Sequence, residues 1–299
     1  MASFPFEGSR GDDNPDDTGG GLPGAAARRG YAHRVSNPAS RSPGRLARRV
    51  LPPALVLAGL LVAWALVVSA FSVDAEVLPG PGLVVESTWA DRSALAPAAW
   101  TTLQEAVLGI LVAIVLAVLL AIAIDWSRTA RRSLYPLLVA SQTIPIIALA
   151  PLVVIWFGFG QTPKVVLVAL FTFFAITVGT LQGLASSDPD SMDLLRTMGA
   201  SRGQLLRRVR LPSALPQFFT GLKVAIAYSL VAAIVAEFVG AEQGLGVYMT
   251  GAKNSLRTDL VFGAVVVTAL LTLVLFGIVA LLERLTMPWR RPAQVEVDW

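Results

Sequence analysis

Long apolar runs alternate with short polar gaps along most of this chain. The runs lie at about 51–71, 101–124, 134–158, 164–184, 217–240 and 260–282. Each holds roughly the 20 apolar residues that a helix rising 1.5 Å per residue needs to cross a hydrocarbon layer about 30 Å thick. The pattern predicts an all-α membrane protein with six transmembrane helices. Residues 1–45 differ: they are rich in Gly, Pro, Ser, Asp and Arg and lack aliphatic clusters. Such a tail buries too little apolar surface to offset its ordering entropy and is expected to be disordered. A transmembrane domain is expected over 46–291, followed by a short tail, 292–299. The first run ends in VSA, which resembles a cleavage site. Its length and the extended tail before it favour an uncleaved anchor.

Composition reinforces the pattern. Hydrophobic residues make up 55% of the 299 and charged ones 15%, against about 25% charged in soluble domains. The net charge of +4 comes from clusters rather than an even spread. Arg45, Arg48 and Arg49 precede the first run, and Arg128, Arg131 and Arg132 fill the gap after the second. Five arginines lie in 185–216, and Arg284, Arg290 and Arg291 follow the last run. The alternate gaps hold only Arg92, then Lys164, then Lys253 and Arg257. By the positive-inside rule both termini are expected in the cytoplasm. The arginines therefore report orientation, not a nucleic-acid footprint. With no cysteine and a single histidine, His33, in the tail, thiolate metal sites are excluded and no metal site is expected. The DDNPDD run near the start lacks the Gly and closing Glu of a calcium loop.

The gap at 185–216 is patterned. Were it a further span, its five arginines and Asp193 would cost on the order of 15 kcal/mol on insertion scales, so it stays in water. Leu194, Leu195 and Met198 share one helical face, Gly199 interrupts, and Leu205, Leu206 and Val209 make a second stripe. This reads as a short helix, a turn and a second helix leading to Pro212. Neither stripe is long enough to hold a helix alone in water. Two surfaces would suit them, the membrane face or another protein.

The order of residues here resembles the cytoplasmic signature loop of permeases from binding-protein-dependent ABC importers. That loop begins Glu-Ala-Ala, has Gly after three residues and reaches aliphatic-x-Leu-Pro after nine more. Here Asp193-Leu194-Leu195 stands at the start, Gly199-Ala200 in the middle and Val209-x-Leu211-Pro212 at the end. The acid is kept, and two leucines replace two alanines. VLPGPGLVVES after the first run and AEFVGAEQGLGVYM after the fifth resemble the nitrate, sulfonate and taurine branch. The resemblance covers about residues 50–290. It implies a type I importer permease fold in a bacterial inner membrane. Asp193, Leu194, Leu195, Met198, Gly199, Ala200, Leu211 and Pro212 would then form a coupling loop docked on a separate ATPase. The implied partners are two ATPase copies, a second permease copy and an extracytoplasmic binding protein. The chain has no Gly-Lys dipeptide and so no phosphate loop of the Walker type. No catalytic residue and no bound cofactor are expected, ATP belonging to the partner.

Candidates for the solute path come from polar residues within apolar runs. The third run carries Pro136, Pro145 and Pro151, with Ser141-Gln142-Thr143 just before Pro145. Proline frees carbonyls that must be satisfied again in lipid. Gln142, Thr143 and Pro145 are read either as a kinked midpoint facing a pathway or as polar contacts between helices. Glu237, near the end of the fifth run, is read either as a pathway carboxylate or as an anchor for the turn that follows. SQTIPIIALAPLVVIWFGFG most resembles permeases for thiamine pyrimidine precursors, with sulfonate, taurine and nitrate permeases close behind. An ion-coupled secondary transporter would carry ionisable residues deep in several spans. A membrane-embedded enzyme would need a His, Cys or carboxylate constellation at membrane depth. Neither pattern is visible.

Overall fold

The structure is a computed structural model and describes residues 43–288. Residues 1–42 of the first expected tail, with His33 and the DDNPDD run, and the tail 292–299 lie outside the described residues; residues 43–45, expected in the disordered tail, open a helix. The chain divides into two compact units, one ending at Ala54 and the other beginning at Leu55. Of the first, the described part is the opening of helix α1, Pro43–Ala70.

In the second unit α1 ends and a short helix, α2 (Pro81–Ala90), begins with Pro81 in its first turn, where the missing N–H costs nothing. α3 (Arg92–Trp126), α6 (Gln161–Ala185), α9 (Leu211–Gly240) and α11 (Thr258–Thr286) are the long apolar helices. Counting α1, five helices among the described residues are long and apolar enough to cross a membrane. The remaining run differs from the kinked helix expected over 134–158. It forms α4 (Arg128–Ser141) and α5 (Ile146–Phe157), bent by 100° at the break. Pro145 has no N–H to continue a ladder and disfavours α geometry in the residue before it. The pair counts as a sixth span only if the two pieces are taken together.

The core forms where α3, α6 and α9 meet. Ala106, Ile110, Ala113 and Ala117 of α3 recur every three or four residues and are buried against Ile176, Leu222, Ile226 and Leu230. Small residues let the helix backbones approach where lipid offers no hydrophobic drive to associate. The α6–α9 contact shows this most sharply. A Cβ on Gly221 would lie 2.4 Å from the Ala175 carbonyl oxygen, and one on Gly179 2.6 Å from that of Gln217. Large apolar side chains such as Leu119, Ile155 and Leu273 point outward instead.

Two short helices join the long ones. α7 (Pro189–Thr197) lies between α6 and α9, and α10 (Leu245–Asn254) between α9 and α11. After α7, α8 (Arg202–Leu205) runs through a π-helical stretch, Leu206–Arg210, directly into α9. The helix expected to end near Pro212 is therefore continuous with the long helix behind it. The ring of Pro212 would clash with the carbonyl four residues earlier, and widening the preceding turn avoids it.

Candidate functional site

The α7 segment is assembled by local rules. Asp188 caps α7: its carboxylate accepts the Asp190 and Ser191 N–H groups at 3.3 and 3.2 Å, and the Ser191 hydroxyl. Those bonds, the Ser191 hydroxyl above all, hold the carboxyl below the usual aspartate range. Pro189 occupies the first helical turn. At the other end Gly199 takes φ +81°, a left-handed geometry costly to any side chain. Its N–H donates to Arg196 O and the Ala200 N–H to Leu195 O, both at 2.9 Å. These are the paired bonds of a Schellman terminus. Ser201 and Gln204 then cap α8 reciprocally.

On this frame Leu194 is 62% exposed and Met198 74%. Leu195 is half-buried, Leu205 is buried, and Leu211 and Pro212 sit at the start of α9. Asp193 is exposed and pairs with Arg196 at 2.9 Å. Leu194 and Met198 thus present an apolar edge that nothing among the described residues covers. Sequence reasoning missed what holds its base. Arg210 grips Asp125 at the end of α3 with both guanidinium arms, one at 2.7 Å, and donates to the Leu184 carbonyl of α6 at 3.1 Å. A planar two-pronged donor suits this three-way tie.

At the opposite ends of α3, α6 and α9 a buried polar knot forms. Glu237 Oε1 accepts from the Thr102 hydroxyl at 2.6 Å, and Oε2 accepts the Gly246 N–H at 2.5 Å. Thr102 accepts the Leu245 N–H at 2.8 Å. The first N–H groups of α10, which have no intrahelical partner, are therefore capped by side chains of α9 and α3. Gly244, at φ +130°, leaves the space that Glu237 fills: a Cβ there would lie 2.2 Å from the carboxyl. Beside this, Lys164 Nζ donates to Glu105 Oε1 at 2.6 Å; the two residues are 6% and 1% exposed. Glu105 Oε2 is buried with no donor facing it, and the Glu237 carboxyl adjoins it. A cavity of about 720 Å³ opens against the pair, lined also by Thr101, Gln161, Glu242 and Gln243.

Of the two readings of Glu237, its contacts are those of the turn anchor. Gln142, Thr143 and Pro145 lie apart from it, exposed at the α4–α5 break. Thr143 donates to the Ala140 carbonyl at 2.8 Å, closing the end of α4 locally. Thr102, Glu105 and Lys164 escaped sequence reasoning because they sit at the edges of apolar runs, where charge is ordinary. A further tie, Lys223 to Glu283, joins α9 to α11, and Tyr248 of α10 donates to Asp91 at 2.6 Å.

A fold of long apolar helices of this kind is one that known proteins share. Residues 109–287 match the family described as binding-protein-dependent transport system inner membrane component. The chain belongs to that family. It is 37% identical over 245 residues to the formylaminopyrimidine transport permease protein ThiX of Halalkalibacterium halodurans, covering 81% of this chain and 97% of that one. The taurine transport system permease protein TauC of Escherichia coli is 34% identical, covering 83% and 93%. The riboflavin transport system permease protein RibX of Chloroflexus aurantiacus is 37% identical, covering 80% and 89%. Among solved structures, an inward-facing MetNI methionine ABC transporter aligns with TM-score 0.53 at 19% identity, over 64% of this chain and 96% of that one. An amino acid ABC transporter aligns with TM-score 0.55 at 16% identity, over 66% and 96%. At those identities the likeness concerns the fold. Family membership makes the chain a multi-pass inner-membrane transport component that works with an ATPase and a substrate-binding protein.

Proposed function

We propose that this chain forms the solute pathway of an ABC importer and is driven through α7 and α8 by a separate ATPase that alone binds ATP. The observation carrying this reading is the exposed Leu194–Met198 edge on a rigidly capped helix. An apolar edge kept in place at both termini is preorganised to enter a groove on a partner. ATP-driven closure of two such partners would draw two α7 segments together and shift the long helices between outward-facing and inward-facing states. Asp193, Leu194, Leu195, Met198, Gly199, Ala200, Leu211 and Pro212 are the coupling residues in this reading. Both termini then face the cytoplasm, and two copies of the chain enclose the pathway, with Gln142, Thr143 and Pro145 of the α4–α5 break along it.

The solute is a small nitrogen heterocycle of the thiamine-pyrimidine-precursor kind, a reading supported by the similarity to the formylaminopyrimidine permease. The similarity to the taurine permease supports a sulfonate as the second reading. Co-purification with the cognate ATPase tests the coupling reading. Gly199→Asp and deletion of 193–200 are expected to abolish complex formation and ATP-driven uptake while the permease still inserts. Unchanged binding and uptake in both would refute it. Uptake of an aminopyrimidine against taurine, in vesicles holding the whole importer, decides the solute.

A further inference from the structure

The cavity beside the Glu105–Lys164 pair bears on which solutes pass, an inference that rests on the importer reading above. Six of its lining residues are polar: Thr101, Glu105, Gln161, Lys164, Glu242 and Gln243. Its volume of about 720 Å³ falls within the roughly 300–1,000 Å³ of small-molecule sites. Its walls come from α3, α6 and the two loops flanking α6 and α10, so it lies at one end of the bundle rather than inside it.

Lys164 is the one ammonium group among the lining residues, set against the carboxyl groups of Glu105 and Glu242. Lys164 is already paired with Glu105 at 2.6 Å. An anion entering here meets a cation that is already paired and the carboxyl groups of Glu105 and Glu242. A neutral ring bearing amino N–H groups meets acceptors on Glu242 and the two glutamines, and an N–H donor on Lys164. Buried charge in a membrane protein is costly to keep, and an ion pair facing a cavity is the usual place where it serves a solute.

We propose that this chamber is a solute-contact site of the permease, that it takes uncharged or cationic solutes carrying N–H donors beside an acceptor, and that it turns away simple anions such as nitrate and alkanesulfonates. Glu105, Lys164 and Glu242 are its specificity-determining residues. An aminopyrimidine fits this chemistry; ethanesulfonate does not.

The absence of cysteine from the chain gives a direct test. Gln243→Cys places a single thiol at the chamber rim, and the assembled importer in vesicles is labelled with cationic or anionic methanethiosulfonates. Each rate is normalised to that of a free thiol. The cationic reagent is expected to react roughly tenfold faster, the effect of one net charge a few ångströms away at a dielectric between protein and water. Glu242→Gln and Glu105→Gln, each added to Gln243→Cys, are expected to shrink that preference. Because Glu242 is exposed, its variant keeps the test valid if the buried one misfolds. A 4-aminopyrimidine is expected to slow labelling severalfold and ethanesulfonate to leave it unchanged. Equal rates for the two reagents, or protection by ethanesulfonate, would overturn the chamber. Uptake in the same vesicles separates the two readings. Uptake of the aminopyrimidine without protection refutes the chamber and spares the importer reading; protection without uptake upholds the chamber and refutes the solute reading.

Discussion

Lys164 and Glu105 compensate each other at a place where neither charge is tolerated alone. A buried pair contributes little net stability, but removing one partner strands the other and costs about 3–5 kcal/mol. Lys164→Met is therefore expected to destabilise the protein by about that amount. The double variant Glu105→Gln/Lys164→Met should recover most of it. Melting in detergent by intrinsic fluorescence checks this, and a double variant no better than the single one would contradict it. The pair was invisible in the sequence for a plain reason: its members lie 59 positions apart, each at the edge of an apolar run. Glu237 was legible as an anomaly, a carboxylate inside a span, but its partners Thr102, Leu245 and Gly246 were not. The glycines of AEFVGAEQGLGVYM acquire a physical reason only once the Glu237 carboxyl is seen to fill the space beside Gly244.

Among the elements, α7 was the most legible because its signals are local. The short apolar stripe and Gly199 mark a helix and its end without reference to anything distant; the start at Asp188-Pro189, an equally local signal, went unread. Asp188→Ala is expected to loosen the start of α7 and to weaken ATPase binding, whereas Asp188→Asn should keep most of it. The pH dependence has a definite sign. The folded-state pKa of Asp188 is depressed, so the cap contributes in full above the ordinary aspartate value and is lost only as pH falls through the depressed one. ATPase binding by the wild type should thus be flat through neutral pH, as titration of complex formation would show; a loss between pH 6 and 8, on the order of the histidine range, would exclude this cap as its cause. The α4–α5 break was only half legible. Three prolines announce a disturbance, but a kink and a 100° bend have the same sequence signature.

At the scale of the whole molecule, apolar side chains stand exposed along several helices, among them Ile155 and Trp156 of α5 and Phe159 just beyond it. In the two-copy reading the α4–α5 breaks face each other. Thr143→Cys is then expected to cross-link between copies under mild oxidation, and Leu119→Cys, on the outward side of α3, is not; non-reducing electrophoresis reads the result. Cross-linking equal at both positions would contradict the arrangement.

The sequence by itself determined the membrane setting, the number of apolar runs, the polar segment before α9 and the glycine turn within it, because insertion cost and helix signals depend on composition and near neighbours. It also carried the family pattern. Tertiary structure alone decided the α6–α9 seam, the Arg210–Asp125 tie, the knot around Glu237 and the polar lining of the chamber. In lipid both faces of a helix are apolar, so periodicity does not say which face is buried. A buried charge declares its partner only when distant segments are brought within hydrogen-bonding reach.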